Sequence, residues 1–144
     1  PGTITRLQNM GTPDYLISAA TQMVLAQRLA RRNCKECRVP DEDVTPKVLT
    51  DLGFSPEQAS RTKAIKGKGC AKCKDSGYKG RQGIYEILVV SKPIKEAILR
   101  QATTPELREI AIKEGFQTMQ DMGRRMIANG ELSFREYERV LSAS

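Results

Sequence analysis

The sequence predicts an α+β fold that is mainly helical, with a cysteine-rich module between two helical parts. Apolar residues recur at three-to-four spacing near both ends of the chain, which is typical of amphipathic helices. One β-branched apolar run stands in the middle, and all four cysteines fall into two C-x-x-C pairs. The core must be mostly aliphatic, because the chain has no Trp and only three Phe.

Two helices are predicted at the start of the chain. Residues 3–10 form a short helix that ends at Gly11, since glycine readily adopts the left-handed conformation after a helix. Residues 12–32 form a longer helix with a wide stripe of alanine and leucine. Basic side chains at its end would complement the negative end of the helix dipole. These are Arg28, Arg31 and Arg32.

Short elements are predicted around the cysteines. Residues 46–61 form two short helices, the second of which begins with Ser55 and Gln58 at capping-box spacing. The run "RTKAIKGKG" forms a short strand before the second cysteine pair. The clearest strand is "GIYEILVV", residues 83–90, which is β-branched and apolar and follows a Gly-rich turn.

The remaining chain is predicted to be a bundle of three or four helices over residues 91–144. Capping-box pairs mark two helix starts, Thr103 with Glu106 and Ser133 with Glu136. Methionines at three-and-four spacing are interpreted as core fillers rather than a metal site. They are Met119, Met122 and Met126.

The four cysteines predict a structural zinc site. Two C-x-x-C turns can direct four thiolates at one ion, the tetrahedral arrangement that structural zinc prefers. The ligands are Cys34, Cys37, Cys70 and Cys73. The gap between the pairs exceeds that of a common zinc ribbon, so it must hold an inserted subdomain. Two disulfides are the alternative. They are disfavoured because no export signal is visible, which indicates a cytosolic setting with reduced cysteines.

Charge leaves more than one class of partner open. The 24 Lys and Arg against 17 Asp and Glu give a net charge of +7, which suits nucleic acid, nucleotide phosphate, anionic lipid or an acidic protein face. Aromatic residues are not interleaved with the basic ones, so no stacking platform for single-stranded nucleic acid is visible. No apolar run is long enough to span a bilayer. Since the chain lacks an initiator Met, we expect it to be part of a longer protein.

Three segments together resemble one family. "TITRLQNMG", "ISAATQMVLAQRLARRNCKEC" and "GCAKCKDSGYKGRQGIYEIL" are similar to the C-terminal part of the type II/type IV secretion ATPases, most closely the pilus-assembly branch. The resemblance implies a RecA-like ATPase domain, a zinc-binding cysteine module and a hexamer in the cytoplasm, peripheral at the inner membrane. It also implies docking on an inner-membrane platform protein. Nucleic acid is then not an expected partner.

With this resemblance, residues 1–33 are predicted to be trailing helices of the RecA-like core. Residues 34–90 are the four-cysteine zinc-binding subdomain with a return strand, and residues 91–144 are the helical bundle. The sequence contains no G-x-x-x-x-G-K-[ST] phosphate loop. We therefore expect no catalytic residue in this stretch and no ATP hydrolysis by it alone, with ATP and Mg²⁺ bound in the longer protein.

Three residues are candidates for a place near the nucleotide in the longer protein. Arg81, in the "GYKGR" turn, could reach a phosphate or the base, or could pair with a carboxylate such as Glu86, because an Arg fork fits either anion. Gln27 and Arg28 are weaker candidates, and a role at a helix end is the alternative for both. The rival functions are a stand-alone zinc-stapled interaction module and a basic zinc ribbon that binds nucleic acid.

Overall fold

The computed structural model describes residues 1–142. Helices and strands are mixed in the first two thirds of the chain, and four helices follow. The elements are α1 (Gly2–Asn9), α2 (Asp14–Ala20), β1 (Met23–Asn33), β2 (Arg38–Pro40), α3 (Pro46–Asp51), α4 (Pro56–Arg61), β3 (Ile65–Gly67), a 3-10 turn (Ala71–Cys73), β4 (Tyr78–Val89), α5 (Lys92–Leu99), α6 (Thr104–Lys113), α7 (Met119–Ala128) and α8 (Phe134–Leu141).

These elements group into two compact units, and each unit takes two separate stretches of chain. The first unit contains Pro1–Ala26 and Tyr85–Thr118, and the second contains Gln27–Ile84 and residues 119–142. The four tail helices are divided as well, since α5 and α6 belong to the first unit and α7 and α8 to the second.

The first unit has an aliphatic core between its helices. Five fully or almost fully buried residues define it: Ile4, Ile17, Ile94, Ile98 and Leu107. The helix starts are fixed locally, as predicted. Thr103 and Glu106 form a complete capping box at the start of α6, which satisfies two backbone N–H groups that lack partners within the helix.

The predicted long helix over residues 12–32 is wrong. Helix α2 ends at Ala20, Thr21 is extended, and Met23–Asn33 form strand β1, the neighbour of β4 in a two-stranded sheet. Exposed and covered side chains alternate along β1, which is the period of a strand. Alanine favours helices intrinsically, but hydrogen bonding to β4 overrides that weak local preference.

The second unit contains the predicted small elements of the cysteine region. Residues 46–61 do form two short helices, and the Ser55–Gln58 capping box is present. Strands β2 and β3 pair antiparallel, with Val39 opposite Lys66. The predicted strand over 83–90 is also confirmed: β4 begins earlier, at Tyr78, and its residues from Tyr85 onward belong to the first unit.

Helices α7 and α8 approach each other closely in the second unit. A Cβ atom added at Gly123 would lie 2.5 Å from the Cδ1 atom of Leu141 and 2.8 Å from the Tyr137 ring, so a larger residue there would force these buried side chains to shift. Met119 and Met126 are buried and Met122 is half-buried, which agrees with their prediction as core fillers. Within residues 1–142, no helix is both long enough and apolar enough to cross a membrane.

Candidate metal centre and arginine cavity

The structure brings all four cysteines together, as the sequence predicts. Cys34 follows β1, and Cys37 precedes β2. The pairing of β2 with β3 carries Cys37 to the second pair, and the N–H of Lys68 donates to the Cys37 carbonyl at 2.9 Å. Cys70 immediately precedes the 3-10 turn, and Cys73 is its last residue. The four Sγ atoms lie within 4.8 Å of one another, and all four thiols are free.

The geometry of the sulfur cluster fits a tetrahedral metal ion. The Sγ–Sγ distances are 3.8 Å from Cys34 to Cys70, 3.8 Å from Cys37 to Cys73 and 3.7 Å from Cys70 to Cys73. A tetrahedron with metal–sulfur bonds of about 2.3 Å has edges of about 3.8 Å. A disulfide needs a sulfur separation near about 2.05 Å, so these thiols are spaced for an ion and not for a covalent bond.

Backbone N–H groups point at the sulfurs. Gly69 donates to Cys37 Sγ, and both Cys70 and Gly77 donate to Cys73 Sγ, each at 3.3 Å. Burial raises the pKa of the Cys73 thiol, but hydrogen bonds from these two N–H groups and from the neighbouring thiols outweigh burial and lower it to about 6. The Gly69 N–H lowers the pKa of the Cys37 thiol, but burial and the neighbouring thiols outweigh it and raise that pKa to about 11. Donors of this kind stabilise thiolates, the form of cysteine that binds metal.

Two glycines allow the chain to close around the cluster. A Cβ atom added at Gly67 would lie 1.9 Å from the carbonyl oxygen of Gly77, which is a collision with backbone. The same carbonyl accepts a hydrogen bond from the N–H of Cys34 at 2.9 Å. Gly77 and Gly80 both have positive φ, at 81° and 82°, a backbone conformation that glycine adopts readily.

A buried carboxylate, which sequence reasoning did not single out as a site, lies elsewhere in the second unit. The Glu136 side chain is fully buried, and five N–H groups donate to it. They come from the backbone and guanidinium of Arg31 and from the guanidinium of Arg139. Burial raises the pKa of Glu136, but the two arginines outweigh burial and lower it to about 2. Ser133 Oγ accepts from the Glu136 N–H at 3.1 Å, so this predicted capping box is only half formed.

Tyr78 holds Arg31 in place from the other side. The Arg31 guanidinium lies 4.1 Å from the centroid of the Tyr78 ring, within the range of a cation–π interaction. The Tyr78 hydroxyl is 3.1 Å from Ser133 Oγ. Strands β1 and β4 and helix α8 are thereby connected through one polar network around Glu136.

A cavity of about 420 Å³ opens beside this network. Its lining consists of Leu29, Ala30, Arg31, Arg81 and Arg139. The Arg81 side chain is exposed and makes no hydrogen bond or ion pair with any of residues 1–142, so the alternative of a pair with Glu86 is not formed.

The other two nucleotide candidates lie apart from this cavity lining. Arg28 is half-buried, and its Nη1 donates to the Val140 carbonyl at 2.5 Å. A role at a helix end was the alternative considered for Arg28, and this contact is at the end of a helix. The helix is α8, however, and not the predicted helix over residues 12–32. Gln27 is exposed on β1. Of the three candidates, only Arg81 lines the cavity.

Known proteins resemble this chain over almost its whole length. A family model described as "Type II/IV secretion system protein" matches residues 1–139. The type IV pilus assembly ATPase PilB of Myxococcus xanthus is 37% identical over 136 residues, which cover 94% of this chain and 24% of that protein. PilB of Thermus thermophilus is 42% identical over 123 residues, 83% of this chain and 13% of the relative.

A type II secretion protein is similar over a comparable length of this chain, at a lower identity. The type II secretion system protein E of Klebsiella pneumoniae is 34% identical over 139 residues, 96% of this chain and 27% of the relative. The chain thus spans about a quarter or less of the length of these relatives. The family model covers both cysteine pairs and nearly all of both units, the relatives agree with it, and the chain therefore belongs to the type II/IV secretion system protein family.

Proposed function

We propose that this chain is the C-terminal zinc-binding region of a hexameric ATPase that powers type IV pilus assembly, or type II secretion, by ATP hydrolysis. The observation that carries the proposal is the match of residues 1–139 to proteins named as pilus assembly ATPases. Pilus assembly is placed first because relatives named as pilus assembly ATPases are 34–42% identical to this chain, whereas the type II secretion relatives are 34% identical.

Zinc is the metal we propose for the sulfur cluster. Soft thiolates exclude magnesium and calcium, and four of them complete the coordination of zinc. Cys34, Cys37, Cys70 and Cys73 would hold the ion. Because no position remains for water or substrate, the ion's role would be to fix the turn after β1 against the 3-10 turn.

The longer protein would bind ATP and Mg²⁺ outside this stretch, work as a homo-hexamer in the cytoplasm and dock on an inner-membrane platform protein. Arg81 is the residue of this chain that we place near the nucleotide, because its guanidinium is exposed and has no partner among residues 1–142. Gln27 and Arg28 remain weaker candidates for the same role. The 144 residues alone would not hydrolyse ATP, since they carry no phosphate loop.

The metal is tested by elemental analysis of protein purified without added metal, together with thiol titration before and after chelation. We expect about one zinc per chain, and thiols that react only after chelation. Cys37→Ser should lose the metal, whereas Lys35→Ala should keep it, because Lys35 is exposed and offers no ligand. Metal-free protein with four reactive thiols would refute the zinc assignment.

The enzymatic part is tested by comparing this chain with the full-length protein that contains it. Mg²⁺-dependent ATP hydrolysis is expected from the full-length protein and not from the 144 residues. Turnover by the isolated chain would contradict the proposal, and so would a zinc-loaded full-length protein that neither binds nor hydrolyses ATP. The second result would favour a zinc-stapled interaction module.

A further inference from the structure

We propose that the cavity lined by Arg31, Arg81 and Arg139 is a binding site for a phosphate group. No acidic side chain lines the cavity, and three guanidinium groups do. Arg is the side chain best suited to phosphate, because its planar fork donates two parallel hydrogen bonds to one anion. The proposal deepens the role suggested above for Arg81, and it can fail or succeed independently of the zinc and ATPase assignments.

Charge favours phosphate over a carboxylate as the ligand. Glu136 neutralises one of the three guanidinium charges and is itself fully buried and outside the cavity lining. The other two guanidinium charges have no negative side chain among the residues that line the cavity. A phosphate monoester carries a charge of about −1.5 to −2 at neutral pH, whereas one carboxylate side chain supplies only one negative charge. The cavity volume of about 420 Å³ also leaves room for a phosphate together with part of the molecule that carries it.

The hydrogen-bond inventory supports the same ligand. A carboxylate has about four acceptor sites, and Glu136 already accepts from five N–H groups, so it can take no further donors. Each guanidinium has five N–H donors, and Arg31 and Arg139 each use two of theirs on Glu136. Three N–H donors therefore remain for a ligand on Arg31 and three on Arg139. All five guanidinium donors of Arg81 remain.

Two of the three arginines are held in place before any ligand arrives. Arg31 is fixed by Glu136 and by the Tyr78 ring, and Arg139 is fixed by both oxygens of Glu136. Preorganised side chains lose little conformational freedom on binding, which favours affinity. Glu136 therefore acts as a positioning residue, and Arg81 is the group that would become ordered when phosphate binds.

The test uses the purified chain with its metal, titrated with inorganic phosphate at constant ionic strength and followed by backbone amide NMR shifts. Saturable shifts around residues 29–31 and 139 are expected, with a dissociation constant of about 1 mM. Arg81→Ala should weaken binding by about tenfold, and Arg81→Lys should recover only part of it, because lysine keeps the charge and loses the fork. Lys47→Ala is the matched control, since it removes one positive charge from an exposed residue outside the cavity.

Two further ligands distinguish the possible sources of the phosphate. ADP binding that is tighter than phosphate and equally sensitive to Arg81→Ala would identify a nucleotide phosphate, whereas equal affinities would identify a free phosphate. Acetate binding as tightly as phosphate would overturn the proposal. So would the absence of saturable phosphate shifts, or equal affinity in Arg81→Ala and Lys47→Ala. Metal content measured on the same samples keeps this result separate from the zinc assignment.

Discussion

Replacing Glu136 with glutamine removes the one negative charge that holds Arg31 and Arg139 together while keeping the shape of the side chain. The carboxyl is fully buried, and both arginines are about half exposed, at 44% and 55%. Breaking a buried ion pair typically costs about 3–5 kcal/mol. Water can still reach the two guanidinium groups, so we expect a loss of about 3 kcal/mol in the free energy of unfolding at pH 7.

The pKa of Glu136 leads to the same estimate of the stability loss and predicts how that loss depends on pH. The pKa falls from its ordinary value of 4.5 to about 2 in the folded protein. This difference corresponds to about 3 kcal/mol, because each tenfold change in proton affinity is worth about 1.4 kcal/mol. Since the folded pKa is the lower one, the stabilisation is fully present above pH 4.5. It is lost as the pH falls from 4.5 toward 2.

Urea unfolding of the wild-type chain and Glu136→Gln, measured in steps from pH 7 to pH 2 with a chelator present, checks both points. The chelator removes the separate effect of acid on the cysteine cluster. The difference in stability between the two proteins should shrink steadily below pH 4.5 and be almost gone at about pH 2. Glu138→Gln is the matched control on the same helix, because Glu138 is exposed and forms no ion pair among the described residues. A stability difference that is absent at pH 7, or that persists unchanged at pH 2, would refute the reasoning.

Two further substitutions test the metal centre and the first unit. Gly67→Ala would place a Cβ atom against the Gly77 carbonyl, so we expect faster loss of metal to a chelator and a stability loss of more than about 1 kcal/mol. Retention of metal at the wild-type rate would contradict the predicted clash. Leu107→Ala should cost about 2–5 kcal/mol because Leu107 is fully buried, whereas Ile112→Ala on the same helix, half exposed, should cost less than about 1 kcal/mol. Similar losses in the two variants, compared by urea unfolding, would contradict the described core.

Features set by neighbours in the sequence were predictable. The cysteine pairs and the Ser55 and Thr103 capping boxes each depend on residues three positions apart, and the structure has them as predicted. Strand β1 was not predictable in this way, because its residues favour a helix when only local neighbours are considered. Its partner strand begins at Tyr78, far along the chain, and no local signal indicates the pairing.

Glu136 shows the same limitation in a functional residue. Glu136 lies three residues after Ser133, so the sequence pattern already accounts for it as a capping residue. Nothing in the neighbouring sequence indicates that its carboxylate is buried. Arg139, one of the two arginines that bind its side chain, is three positions away, but the other, Arg31, lies 105 positions earlier, on a segment that the sequence assigns to a helix. A buried carboxylate needs a cationic partner, and the cluster of arginines in "AQRLARR" was the only available hint.

The division of each unit into two stretches of chain has a consequence for synthesis on the ribosome. The stretches interleave, so the first unit closes when residue 118 has emerged, and the second waits for α8 at the end of the described chain. The cysteines are made early, long before Glu136 can reach Arg31. A metal ion captured by the nascent chain would then hold β2 and β3 in register while the final helix is still being synthesised. A premature stop after residue 118 would leave the second unit half built, with Arg31 lacking its carboxylate and no α8 to cover β1.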